Sequence, residues 1–103
     1  LGTDGHTASL FPYTKALNEI EKLAAANWVP QLNEMRFTMT LPLINNAANS
    51  VFLVSGKEKA DVVKRVIEGE CKTDEFPAQL VSPSNGTLTW LLDKTAASLL
   101  DRE

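Results

Sequence analysis

The chemistry open to this chain is concentrated in residues 1–11, Leu-Gly-Thr-Asp-Gly-His-Thr-Ala-Ser-Leu-Phe. His6 is the single histidine of the sequence, and histidine is the side chain whose ordinary pKa lets it take and return a proton near neutrality. Asp4 stands two residues before it. In a loop, that spacing lets a carboxylate reach the imidazole, fix its tautomer and stabilise the imidazolium that forms when the ring acts as a base. Gly5, between them, lets the backbone turn and could present an N–H to a developing oxyanion. From spacing alone this is a candidate general base with an orienting carboxylate and no more, since an active site needs a full constellation. Ser9 adds no nucleophile, because the Gly-x-Ser-x-Gly elbow is absent. Capping or hydrogen bonding within the loop is its expected task.

A loop of this kind needs a strand to carry it. In open α/β sheets ligands gather at the carboxyl ends of strands, yet the sequence opens on the loop itself. A preceding strand is therefore expected outside this sequence, and the chain is read as one piece of a larger molecule. Downstream, Thr14 is a plausible N-cap for a short amphipathic stretch over 15–23, broken at Asn27-Trp28-Val29-Pro30. Residues 35–40 alternate and are rich in β-formers, which predicts a strand. Leu41-Pro42 starts a short helix, proline being tolerated in a first turn. The continuous apolar run at 50–55 fits a strand buried on both faces, as in a parallel sheet. Ala60, Val63, Val66 and Ile67 recur at helical spacing, with Gly69 to end the helix. Residues 78–81 read as a short strand or extended segment, Asn85-Gly86 as a turn, 88–92 as a strand, and 94–100 as a last helix capped by Asp93. Strands alternating with helices predict an α/β fold with a largely parallel sheet.

The bulk properties limit the partners. A chain of 103 residues suffices for one domain and not two. A formal net charge of −3 argues against a nucleic-acid partner, whose phosphate backbone calls for a clear basic excess. It leaves room for a phosphorylated small molecule, which needs two or three placed cations. No apolar run approaches the length of a membrane span. The single thiol, Cys71, cannot form an intrachain disulfide, and its neighbours Glu70 and Lys72 give no sign of activation.

Several blocks together resemble the 6-phosphogluconolactonases of the glucosamine-6-phosphate isomerase/6-phosphogluconolactonase family. They are Gly2-Thr3-Asp4-Gly5-His6-Thr7-Ala8-Ser9-Leu10-Phe11-Pro12, Arg36-Phe37-Thr38-Met39-Thr40-Leu41-Pro42-Leu43-Ile44-Asn45 and Phe52-Leu53-Val54-Ser55-Gly56-Lys57-Glu58-Lys59-Ala60, followed by the closing 77–81 and 86–90 segments. The first block is highly specific and the similarity runs through nearly the whole chain. The resemblance implies a three-layer α/β/α sandwich with a mostly parallel sheet, of which residues 1–103 would be the C-terminal part of a single domain, its partner being the N-terminal half of the same protein outside this sequence. It implies a cytoplasmic enzyme that hydrolyses 6-phosphoglucono-δ-lactone to 6-phosphogluconate in the oxidative pentose phosphate pathway, without metal or organic cofactor. It assigns His6 as general base with Asp4 beside it, Lys59 to the substrate phosphate and Arg36 to substrate binding. Each has a plainer alternative: Lys57 and Lys59 as solvated cations, Arg36 in a structural pair with Glu34, Trp28 and Trp90 as packing residues rather than sugar platforms. Amino-sugar-phosphate deaminases of the same fold carry an Asn-Glu-Pro sequence after their Asp-Gly-His loop. This chain has Ser9-Leu10-Phe11-Pro12, and the missing carboxylate disfavours that chemistry. A non-catalytic sugar-phosphate-binding module is the remaining alternative.

Overall fold

A computed structural model describes residues 1–101. Its strands and helices are β1 (Ala24–Val29), β2 (Glu34–Met39), α1 (Leu41–Ile44), β3 (Asn49–Val54), α2 (Ala60–Glu68) and β4 (Thr87–Leu92), with 3₁₀ turns at Lys15–Asn18, Pro30–Leu32, Lys57–Lys59 and Pro77–Leu80. The strands form two pairs. β1 and β2 make an antiparallel hairpin in which Asn27 faces Arg36 and Ala25 faces Thr38. β3 and β4 pair in parallel, Phe52 beside Trp90 and Val54 beside Leu92. A parallel pair requires a crossover, and α2 provides it. The α/β class is as expected, and the chain supplies a portion of it.

Period-two alternation sets which side of β3–β4 is buried. Phe52, Val54, Trp90 and Leu92 point inward, where α2 contributes Val63 and the segments after it contribute Ala78, Val81 and Ala96. The Phe52 and Trp90 rings stack with centroids 4.1 Å apart, so Trp90 is a packing residue. A smaller cluster of Leu10, Ala16 and Leu17 seats the start of the chain against Leu41, Ile44 and Leu80. No helix among the described residues is long and apolar enough to cross a membrane.

Four local expectations are corrected. The segment read as a short amphipathic helix is one 3₁₀ turn, and β1 (Ala24–Val29) runs through Asn27-Trp28-Val29, where a break was expected. The three alanines 24–26 favour helix by propensity, but pairing with β2 overrides it. Residues 77–80 form a 3₁₀ turn in place of the short strand or extended segment expected over 78–81, started by Pro77, which has no N–H to give to a ladder. After β4 the chain makes successive turns in place of a helix. Asp93 still caps them, its carboxylate accepting from Ala96 N–H at 2.8 Å and from the Thr95 hydroxyl at 3.0 Å. Lastly, among the described residues β3 is buried on one face: Leu53 is 80% exposed and Val51 56%. The described residues lay a helix on the inner side only.

Candidate active site

The loop at 1–6 closes on itself through two backbone bonds, Gly2 N–H to His6 O (2.9 Å) and Gly5 N–H to Gly2 O (3.0 Å). Within that turn one oxygen of Asp4 accepts from the His6 backbone N–H at 3.1 Å and meets Nδ1 of the His6 ring at 2.5 Å. A carboxylate only accepts, so the proton on the ring belongs on Nδ1, and Nε2 keeps its lone pair. Both side chains are partly exposed, His6 by 30% and Asp4 by 43%. The imidazole is thus held at one nitrogen, with the other left as an acceptor.

Two glycines make it possible. A Cβ on Gly2 would lie 2.1 Å from Nδ1 of His6, inside the ring's own space. Gly5 sits at φ +88°, where other residues are strained, and a Cβ there would come within 2.9 Å of the Phe76 ring. The Gly5 amide is spent on Gly2 O. The sequence-based expectation of an N–H offered to an oxyanion is therefore corrected: the turn consumes that donor, and the contribution of Gly5 is conformational.

The other face of the imidazole is covered. The His6 and Phe11 rings stack with centroids 4.2 Å apart and planes at 24°. The segment bearing Phe11 is tied to the hairpin by buried polar side chains. Asn27, fully buried, donates to Ser9 O and to Thr14 Oγ1, both at 3.0 Å, and accepts from Ala16 N–H at 3.1 Å. Thr14 donates its hydroxyl to Phe11 O at 2.7 Å, in place of the helix-capping bond expected of it. Ser9 N–H donates to Thr38 Oγ1 at 3.1 Å. Phe11 and Asn27 are participants that sequence reasoning missed. The one signal for Asn27 was its alternation with Trp28 and Val29 on a strand that was itself missed.

Lys59 closes the 3₁₀ turn after β3 and leads into α2. Its ammonium donates to Leu1 O, so the Leu1–Gly2 peptide unit holds Lys59 by its carbonyl and the His6 carbonyl by its N–H. Lys59 and the His6 loop therefore share one piece of backbone. The turn ahead of Lys59 is fixed by Asp93, whose carboxylate accepts from Gly56 N–H at 3.2 Å. The Asp93 carboxyl lies below the ordinary aspartate value, chiefly through the Ala96 N–H and, against some opposing burial, the Thr95 hydroxyl and Gly56 N–H. Arg36 is bound to Glu34, Nε to Oε2, at 2.5 Å, with both side chains about half exposed. It stands opposite Asn27 in the hairpin register and so shares the face on which the His6 loop rests. A cavity of about 500 Å³ adjoins the loop at Leu1, Thr7 and Ala8 and continues under Met39, Val51 and Leu53. Neither His6 nor Lys59 lines it.

The sequence matches the family described as glucosamine-6-phosphate isomerases/6-phosphogluconolactonase over residues 1–90. The 6-phosphogluconolactonase of Homo sapiens is 44% identical over 101 residues, an alignment covering 97% of this chain and 39% of that protein. The Synechocystis 6-phosphogluconolactonase is 41% identical over 100 residues, 97% of this chain and 40% of that one. Among solved structures, the Trypanosoma brucei 6-phosphogluconolactonase superposes with TM-score 0.79 at 30% identity, over 97% of this chain and 40% of its own. That of Leishmania guyanensis gives 0.78 at 29%, over 98% and 39%. The chain thus spans about two fifths of the length of the relatives it matches.

Proposed function

Because this chain belongs to the glucosamine-6-phosphate isomerase/6-phosphogluconolactonase family, we propose that it forms the base-bearing part of an enzyme that hydrolyses 6-phosphoglucono-δ-lactone to 6-phosphogluconate. One observation carries this: an imidazole held at Nδ1 by a carboxylate 2.5 Å away, on a loop whose backbone also engages Lys59. Nε2 of His6 removes a proton from water as the oxygen adds to the lactone carbonyl carbon. Asp4 keeps the tautomer that makes Nε2 the acceptor and stabilises the imidazolium. The tetrahedral intermediate then collapses, the bond from carbon to ring oxygen breaks, and the imidazolium returns its proton to that oxygen.

The phosphate end supplies orientation. A phosphate is a stronger partner for the Lys59 ammonium than a neutral peptide carbonyl, so substrate displaces Leu1 O from Lys59. Arg36 provides a second positive charge, since an ion pair as exposed as its bond to Glu34 is weakly held. Binding energy collected at the phosphate then places the distant carbonyl carbon against His6. The remainder of the domain covers the outward apolar side chains of both strand pairs, among them Leu53, Leu91, Trp28 and Phe37. A cytoplasmic setting fits a sugar-phosphate substrate.

The deciding experiment is lactone hydrolysis by the full-length protein and its His6→Ala variant. The variant should fall to the spontaneous rate, a loss of at least about 10²-fold, while still binding 6-phosphogluconate. Full hydrolysis by His6→Ala would remove the base assignment. Strong ammonia release from glucosamine 6-phosphate would move the assignment to the deaminase branch.

A further inference from the structure

We propose that Asn27 is a positioning residue for His6, acting through Thr14 and Phe11 to set the plane of the imidazole; this rests on His6 being the base. The bond to Asp4 fixes one vector of the ring, at Nδ1. It leaves the ring free to swing about that vector, and such a swing carries Nε2 away from the attacking water. A second contact is needed to stop it, and the Phe11 face at 4.2 Å is that contact.

Phe11 cannot hold its place by local preference alone. The segment around it passes through positive φ at Ala8 (+51°) and at Tyr13 (+58°). For non-glycine residues this is a sparsely populated conformation that persists only where the surroundings enforce it. Asn27 enforces it from a different element. Its side chain is fully buried, and its amide spends two donor bonds and one acceptor bond on Ser9, Thr14 and Ala16, the residues that bracket Phe11. The relay ends on Phe11 itself, whose carbonyl takes the Thr14 hydroxyl. Burying an amide is costly where an apolar side chain would serve packing alone. Here each of its bonds goes to the one segment that backs the base.

The test compares Phe11→Leu, Thr14→Val and Thr14→Ser in the full-length protein. It measures kcat, KM and the proton resonances of the His6 ring. Phe11→Leu keeps apolar bulk but removes the ring face. It should lower kcat about 10-fold at unchanged KM, because a slightly misplaced base costs rate and not affinity. The His6 ring protons should move downfield as the ring current of Phe11 is lost. Thr14→Val should shift the same resonances in the same direction and lower kcat about 3-fold, and Thr14→Ser should restore both. Wild-type kcat and resonances in both Phe11→Leu and Thr14→Val would overturn the proposal. So would a fall in kcat with the His6 resonances unmoved, which is the mark of a structural role only. Should Thr14→Val fail to fold, Asn27→Ala, read by the same kcat and His6 resonances, decides between these outcomes. If His6→Ala keeps its rate, the base assignment fails while the resonance shifts still report whether the relay holds the ring.

Discussion

The two strand pairs serve the candidate site by opposite means. The β3–β4 pair is held by apolar contacts: its inner face stacks Phe52 on Trp90 and packs Val54 against Val63, and none of these side chains touches the His6 loop through a hydrogen bond. The β1–β2 hairpin works through polar groups. Its inward residues include Asn27 and Thr38, both buried and both bonded to the loop segment. Apolar packing is non-directional, so it fixes where a layer lies but not how a ring is turned. Hydrogen bonds are directional, and a fully satisfied buried set specifies one arrangement. The molecule therefore uses β3–β4 for bulk stability and to deliver Lys59, and β1–β2 to fix the segment that stacks on the His6 ring.

Phe52→Ala should have the largest effect on stability, about 3–5 kcal/mol by urea unfolding, from lost burial plus the cavity left under Trp90. Folded molecules of that variant should retain near wild-type kcat. Asn27→Ala should cost less stability, about 1–3 kcal/mol, since it strands Ser9 O and Ala16 N–H. It should nevertheless lower kcat by more than Phe52→Ala does. The reverse ranking in kcat would break the contrast between the two pairs.

A smaller effect should separate Asp93→Asn from wild type. The depressed carboxyl of Asp93 means that its stabilisation is complete at neutral pH. That stabilisation is lost as pH falls through the ordinary aspartate value and then through the depressed one. Wild type should thus lead the variant at neutral pH, and the two unfolding curves should converge in strong acid. Convergence on raising the pH instead would reverse the sign of this linkage. Least affected should be Arg36→Ala, with under about 1 kcal/mol of stability lost, because the pair with Glu34 is exposed. A KM increase in that variant without a stability change would place Arg36 at the substrate.

The sequence was most legible where one element's own periodicity decided its structure. β2, β3, α2 and β4 all lie within a residue or two of their expected positions. It was least legible where a partner strand decided. Ala24–Ala26 carry helix propensity, and only the register with Thr38, Phe37 and Met39 makes them strand. Likewise, nothing in the spacing of Lys94–Leu100 tells a helix from the capped turns that form. At the site, Asp4 and His6 were readable because a two-residue spacing is a local code. Phe11 belongs to the same motif, but its stacking on the imidazole depends on how the chain turns between them. Asn27 lies 18 residues from Ser9, whose carbonyl it holds, a separation for which no spacing rule exists.

The Leu1–Gly2 amide has its oxygen on Lys59 and its hydrogen on the His6 carbonyl. Turning that plane over would set oxygen against oxygen and hydrogen against ammonium, so each end locks the orientation the other needs. An anion that draws the ammonium away strips the amide of its strongest polarising contact and leaves the second bond in place. The stretching frequency of an isotopically labelled Leu1 carbonyl should therefore rise on phosphate capture, making this one bond an infrared gauge of occupancy several residues from the imidazole.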